Sequence, residues 1–236
     1  MNRSLKEEYK DFSNITLYHG DYKTNTLEKN SGSQPFYTTP DFVYAALYSV
    51  DDSNQHGCIM VLEPKRDLNI FDARNEDELQ LLKSAYEETG NTLKINFERF
   101  KDEDWSTVCF RKDSVRDKYI LPLVKELGFD GYINYEWDDE ISSTYADGLA
   151  GVGLLRHHAA IGIFDTDLLT VTDVKEFDDF FEDEKFVECF QADKNYLIDM
   201  CEEDAFEDVD DALDWTGLNL PFLDSDTVID IVESYI

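Results

Sequence analysis

One N-terminal segment has the pattern of strand, loop, strand and helix in that order, so strands and helices are mixed from the first part of the chain. Residues 15–19 favour a strand, which Gly20 ends. Residues 21–34 are rich in Asn, Thr, Ser and Gly, a composition that predicts a loop. The run Phe36-Tyr37-Thr38 predicts a second short strand, and a Pro-Asp pair then predicts a short helix over residues 41–49.

Strand and helix patterns stay mixed along the rest of the first 170 residues. The further predicted strands are 58–62, 68–71, 132–136 and 159–164, and the further predicted helices are 76–89 and 114–127. Asn75 is placed to cap the first of these helices, and Gly90 and Gly128 are placed to end them. Short strands mixed with helices in this way predict an α+β fold.

Acidic residues are concentrated toward the C-terminus. The chain of 236 residues has a formal net charge of −32. Residues 173–236 hold 22 acidic residues and three lysines, a net charge of −19, and residues 1–172 hold the remaining −13. Apolar residues recur at helical spacing among the C-terminal acids, as at Phe177 and Phe180. We therefore predict a domain over 1–172 and an acidic helical extension over 173–236.

Composition also narrows the classes of partner. A chain this acidic repels phosphate backbones, which disfavours binding to nucleic acid and to anionic membranes, and it attracts proteins with a basic surface. The charged N-terminus and the short apolar runs predict neither a secretion signal nor a membrane span. The four cysteines are scattered without metal-ligand spacing. We expect no metal site and a reducing cytoplasm, either bacterial or that of an infected host.

Three motifs carry a resemblance to a known family. Leu17-Tyr18-His19-Gly20 is followed by Tyr37-Thr38-Thr39-Pro40 and later by Leu127-Gly128-Phe129-Asp130-Gly131. In these motifs and in their order, the chain resembles the ADP-ribosyltransferase superfamily. Members cleave NAD between nicotinamide and ribose, and most transfer the ADP-ribose to a macromolecule. The resemblance implies a split antiparallel β-sandwich with flanking helices, with NAD bound as a substrate in the cleft.

The resemblance also implies roles for individual residues. His19 would contact the ribose, and its presence in place of an arginine points to the His-Tyr-Glu type that occurs in prokaryotic and phage effectors. The backbone of Gly20 would hold the nicotinamide amide, where the missing side chain permits close approach. Tyr37 and Tyr48 would sandwich the nicotinamide. Ala45 takes the place of a small residue that is often serine, so one hydrogen bond to the amide would be lost.

A carboxylate must stabilise the cationic ribose of the transition state, and two branches of the superfamily carry it at different places in the chain. One branch of the superfamily carries its glutamate at the start of the last strand, where this chain has Ala160. Another branch, which includes a phage anti-CRISPR ADP-ribosyltransferase, carries the acid shortly after a Leu-Gly-Phe-x-Gly motif. That position matches Glu136, with Glu140 as the alternative.

The sequence as a whole favours a mono-ADP-ribosyltransferase that consumes NAD and modifies a protein with a basic surface, with His19, Tyr37 and Glu136 as catalytic residues. Two alternatives stay open. The first is a non-catalytic acidic protein that mimics nucleic acid and blocks a basic partner. The second is an ADP-ribosyltransferase-like fold that has lost activity, which the alanine at position 160 permits.

Overall fold

The computed structural model describes residues 11–22, 27, 34–50, 55–93, 115–135, 159–203 and 205–236. Over these ranges the protein combines helices with two β-sheets, one of three strands and one of four. The predicted α+β class is confirmed. None of the helices in the described part of the chain is long and apolar enough to cross a bilayer.

The strands and the helices are each numbered in chain order. The strands are β1 (Leu17–Asp21), β2 (Phe36–Thr38), β3 (Cys58–Pro64), β4 (Ile70–Asp72), β5 (Gly131–Tyr135), β6 (Ala159–Ile163) and β7 (Leu169–Glu176). The helices are α1 (Phe42–Leu47), α2 (Glu76–Leu93), α3 (Leu121–Glu126), α4 (Phe177–Phe180), α5 (Glu184–Glu202), α6 (Val209–Asn219) and α7 (Ser225–Glu233). A π-helical turn, Arg116–Ile120, leads directly into α3.

The two sheets differ in strand direction. The three-stranded sheet has the order β1-β3-β7 and is antiparallel throughout. The four-stranded sheet has the order β2-β6-β5-β4, and its β4–β5 pair is parallel. The expectation of wholly antiparallel sheets is therefore wrong at this pair. The chain between β4 and β5 includes α2 and α3, and a long helical crossover returns a strand in the same direction.

The main core lies between the sheets. Both sheets contribute large apolar side chains to one buried cluster, including Leu17, Met60 and Leu62 from the first sheet and Phe36, Ile161 and Ile163 from the second. The outer face of the three-stranded sheet packs against α1, α4 and α5, and the outer face of the four-stranded sheet packs against α2 and α3. Burial on both faces explains why the strands read as short apolar runs.

The C-terminal acidic residues begin within a strand and continue through four helices. The predicted boundary at Thr172 falls inside β7, and the helices begin at Phe177. Residues 173–176 continue the strand because they pair with β3, and Val174 packs against the main core. The apolar side of the extension covers the first part of the chain, since Phe186 and Phe222 are buried in one cluster with α1.

The two predicted glycine stops behave differently. Gly128 has a φ of 89° and follows α3, as a glycine that ends a helix in the left-handed conformation does. Gly90 does not end α2, which continues to Leu93. A helical glycine costs only about 1 kcal/mol relative to alanine, so neighbouring residues can carry the helix through it.

Candidate functional site

Strands β1 and β2 belong to different sheets, and one backbone residue pair joins them: Tyr18 of β1 with Thr39, which directly follows β2. Tyr18 N donates to Thr39 O at 2.7 Å, and Thr39 N donates to Tyr18 O at 2.9 Å. Beyond this pair β1 follows β3, β2 follows β6, and no further β1–β2 pairing occurs among the described residues. We call the space between residues 19–21 of β1 and residues 36–37 of β2 the β1–β2 opening.

Gly20 turns its backbone toward this opening. Backbone hydrogen-bonding groups alternate in direction along a strand, and those of Tyr18 point toward β2. Gly20 lies two residues further along, so its N–H and C=O point to the same side, where no described strand pairs with it. They form an adjacent donor and acceptor at the edge of the three-stranded sheet.

The missing side chain of Gly20 also has a packing cause. A Cβ atom at this position would overlap the carbonyl oxygen of Ala45, so α1 lies directly on β1 here. The resemblance to the ADP-ribosyltransferases implied that a glycine here lets a ligand approach closely. In the structure, the backbone of α1 occupies the place that a side chain of Gly20 would take. The N–H and C=O of Gly20, at the edge of the strand, are the groups that face the opening.

The imidazole of His19 bridges the two strands. Its Nδ1 lies 2.6 Å from Tyr37 O, and because a carbonyl oxygen only accepts, Nδ1 carries the proton. The ring packs on Phe36 with centroids 4.2 Å apart. Burial lowers the pKa of His19, although the bond to Tyr37 and the charge of Asp21 act in the opposite direction. At neutral pH the ring is therefore uncharged, and Nε2 is a hydrogen-bond acceptor.

The side chains of His19 and Tyr37 lie on opposite faces. In an antiparallel pair, directly opposed residues project from the same face, so the side chains of Tyr18 and Thr39 share a face. Gly20 and Tyr37 each lie two residues further along, so they project from the same side of their strands as Tyr18 and Thr39 do. Tyr18 and Gly20 face α1, whereas the Tyr37 ring packs in the cluster with α2 and α3. His19 projects from the other face of β1 and reaches Tyr37 through its backbone oxygen only. The structure thus places Gly20 against Ala45 and His19 against the backbone of Tyr37, while the Tyr37 ring packs toward Tyr132.

The predicted residues of α1 have different environments. Asp41 caps the helix by accepting from Val43 N at 3.0 Å and Tyr44 N at 3.2 Å. Ala45 is buried, and it offers no side-chain hydrogen bond to a ligand. Tyr48 follows the last residue of α1 and is 41% exposed, with its hydroxyl 3.3 Å from that of Tyr44. Tyr48 is the predicted residue with the most accessible ring.

A polar cluster lies beside Tyr37, and the sequence pattern does not single it out. The hydroxyls of Tyr37 and Tyr132 are 2.8 Å apart. Burial and the neighbouring Tyr37 raise the pKa of Tyr132, so its hydroxyl stays protonated. Arg116 is also buried, and its Nε donates to Asp117 at 2.8 Å. Burial opposes the charge of Arg116, but Tyr132, Asp117 and Tyr37 together raise its pKa, so it stays a cation.

The predicted acids Glu136 and Glu140 lie outside the described residues, and β5 ends at Tyr135. Ala160 is buried within β6 and pairs with Asn134. Within the described ranges, no group of three or more His, Cys, Asp or Glu side chains is arranged to hold a metal ion.

In comparisons with known proteins, no family model, no curated protein sequence and no solved structure matched this chain.

Proposed function

We propose that this chain binds NAD in the β1–β2 opening and transfers a single ADP-ribose to a protein with a basic surface. The proposed fold is that of an ADP-ribosyltransferase, with NAD at the edge where the two sheets separate. The observation that carries the proposal is the donor–acceptor edge of Gly20 beside the neutral imidazole of His19.

The edge of Gly20 complements the carboxamide of nicotinamide. A primary carboxamide carries one carbonyl acceptor and an NH₂ donor, and Gly20 offers one N–H and one C=O from a single residue. Two parallel hydrogen bonds of this kind orient a planar group as well as bind it. The Tyr37 ring, on the strand across the opening from Gly20, supplies an aromatic surface for the nicotinamide ring.

The protonation state of His19 suits a ribose. Its Nδ1 proton is committed to Tyr37 O, which leaves Nε2 as the acceptor for a sugar hydroxyl. The imidazole is 20% exposed, so a ligand in the opening can reach its edge. Within the described part of the chain, the acidic oxygen paired with Nε2 is that of Asp21, at 4.0 Å, which exceeds hydrogen-bond length.

The proposed reaction breaks the bond between nicotinamide nitrogen and ribose C1. The bonding electrons leave with nicotinamide, which becomes neutral, and a cation develops at C1. A nucleophile of the target then bonds to C1 and loses its proton to a carboxylate. We assign that carboxylate to Glu136, which directly follows the last residue of β5.

The charge of the chain indicates the class of target. A net charge of −32 attracts basic surfaces and speeds the encounter with them. Residues 195–236 contain 13 acidic residues and no Lys, Arg or His, so the attraction is strongest at the C-terminal helices.

Calorimetry and label transfer test this proposal together. We expect NAD to bind the wild-type chain with measurable heat, and His19→Ala to weaken that binding about tenfold through loss of the ribose contact. We expect Glu136→Gln to keep NAD binding and to abolish transfer of biotinylated ADP-ribose to basic proteins such as histones. His56→Gln is the matched control, because the His56 ring stacks on Phe177 and its Nε2 lies 3.3 Å from Leu223 O, so its contacts are with residues that do not define the opening. Absence of heat with the wild-type chain refutes the proposal.

A second candidate function is a non-catalytic acidic mimic of nucleic acid. The cation-free stretch of residues 195–236 favours it. In that case His19→Ala and Glu136→Gln keep full inhibition of a basic partner, and neither the wild-type chain nor the variants transfer label. An inactive relative of the enzyme fold would instead bind NAD without transferring label.

A further inference from the structure

Three residues form a row across the four-stranded sheet. Tyr132 of β5 lies opposite Gly162 of β6, and Gly162 lies opposite Tyr37 of β2. Opposed residues share a face, so both tyrosine side chains project from the face that carries Gly162 between them. The two tyrosine backbones are two strand spacings apart, about 10 Å, and their hydroxyls nevertheless meet at 2.8 Å.

The glycine in the middle of this row makes the contact feasible. A Cβ atom on Gly162 would lie 2.5 Å from Cε1 of Tyr132 and 3.0 Å from Cγ of Pro35. The Tyr132 ring therefore occupies the space that a side chain at 162 would need. Gly162 does not have a positive φ, so its backbone conformation does not require a glycine. The Tyr132 ring that lies over Gly162 is what requires a glycine at this position.

Tyr132 is held on more than one side. It is fully buried, and its ring stacks on Phe164 with an interplanar angle of 15°. The Tyr132 ring is therefore fixed by packing as well as by its hydroxyl contact with Tyr37.

We propose that Tyr132 is a positioning residue that holds the Tyr37 ring in place before a ligand binds in the β1–β2 opening. This inference rests on the proposed function, because it assigns the held ring to the nicotinamide. The hydroxyl pair fixes the outer end of Tyr37, and strand β2 fixes its inner end. A ring restrained at both ends loses little freedom on binding, so more of the contact energy appears as affinity.

Fluorine NMR and calorimetry on the full chain test the inference separately from the proposed function. The chain is labelled with 3-fluorotyrosine, and the Tyr37 resonance is assigned from Tyr37→Phe. Tyr132→Phe removes one oxygen and keeps the ring. Gly162→Ala keeps both hydroxyls but displaces the Tyr132 ring. Tyr86→Phe is the matched control, because Tyr86 is buried in the same cluster.

We expect Tyr132→Phe and Gly162→Ala to shift or broaden the Tyr37 resonance and to weaken NAD binding about threefold to tenfold. Tyr86→Phe should leave the resonance and the affinity unchanged. An unaltered Tyr37 resonance and unaltered affinity in both test variants would overturn the inference. If the wild-type chain binds no NAD while the Tyr37 resonance still responds to Tyr132→Phe, the proposed function fails and the positioning of Tyr37 stands.

Discussion

Gly20→Ala should destabilise the whole protein, because this glycine is where α1 and β1 touch. The added Cβ would overlap the carbonyl oxygen of Ala45, which belongs to the helix backbone and cannot rotate away as a side chain can. The helix must move, and with it the fully packed side chains of Val43, Tyr44 and Ala46. Overpacking of a tight core costs about 1–3 kcal/mol, and a backbone contact places this site near about 3 kcal/mol.

Urea unfolding followed by circular dichroism measures this loss. With a slope of about 3 kcal/mol per molar urea, a loss of about 3 kcal/mol lowers the midpoint by about 1 M while the slope stays unchanged. A double variant with Ala45→Gly is the informative comparison, because removal of that side chain leaves the overlapped oxygen in place. A loss below about 0.5 kcal/mol, or rescue by Ala45→Gly, would refute the packing argument.

Three further predictions concern charge and access. The pKa of His19 is lowered in the folded state, so the unfolded chain binds more protons and the free energy of unfolding should fall as the pH drops below 6.5. His19→Gln should remove that part of the pH dependence, which urea midpoints measured from pH 5 to 8 would show. Burial acts to raise the pKa of Asp130, but its ion pair with Arg66, at 2.7 Å, keeps that pKa lowered. Asp130→Asn should therefore lower the thermal midpoint at pH 7, and by less in 1 M salt than in low salt, whereas an equal loss at both salt concentrations would contradict an ionic origin. Burial raises the pKa of Cys189 to about 12, so mass spectrometry after maleimide treatment at pH 8 should find it labelled only in urea, and labelling in native buffer would contradict its burial.

Local sequence patterns predicted most of the secondary structure. The strand Phe36–Thr38 was predicted with the bounds that the structure has, and Asn75 caps α2 by accepting from Asp77 and Glu78. These features depend on residues close together in the chain, such as a cap and the amides after it. Strand β7 was missed, because its residues alternate weakly and lie at the start of the acidic extension.

The candidate site was predicted only in part. His19, Gly20 and Tyr37 do lie around one opening, and their strands are where the sequence placed them. The reason for the glycine came from the contact with α1, and the side on which the Tyr37 ring lies came from its packing with α2 and α3. Tyr132 could not be found in advance, since it reaches Tyr37 from a strand 95 residues away along the chain.

The sequence by itself determined the α+β class, the order of most elements, and the strong negative charge of the C-terminal helices. Tertiary structure alone decided that β4 and β5 run parallel, that the backbone pair of Tyr18 with Thr39 joins β1 to the end of β2, and that Gly162 lets Tyr132 reach Tyr37. The physical reason is the range of the interactions. Periodicity and capping act over a few residues, whereas strand pairing and ring contacts join distant segments whose meeting depends on how the whole chain packs.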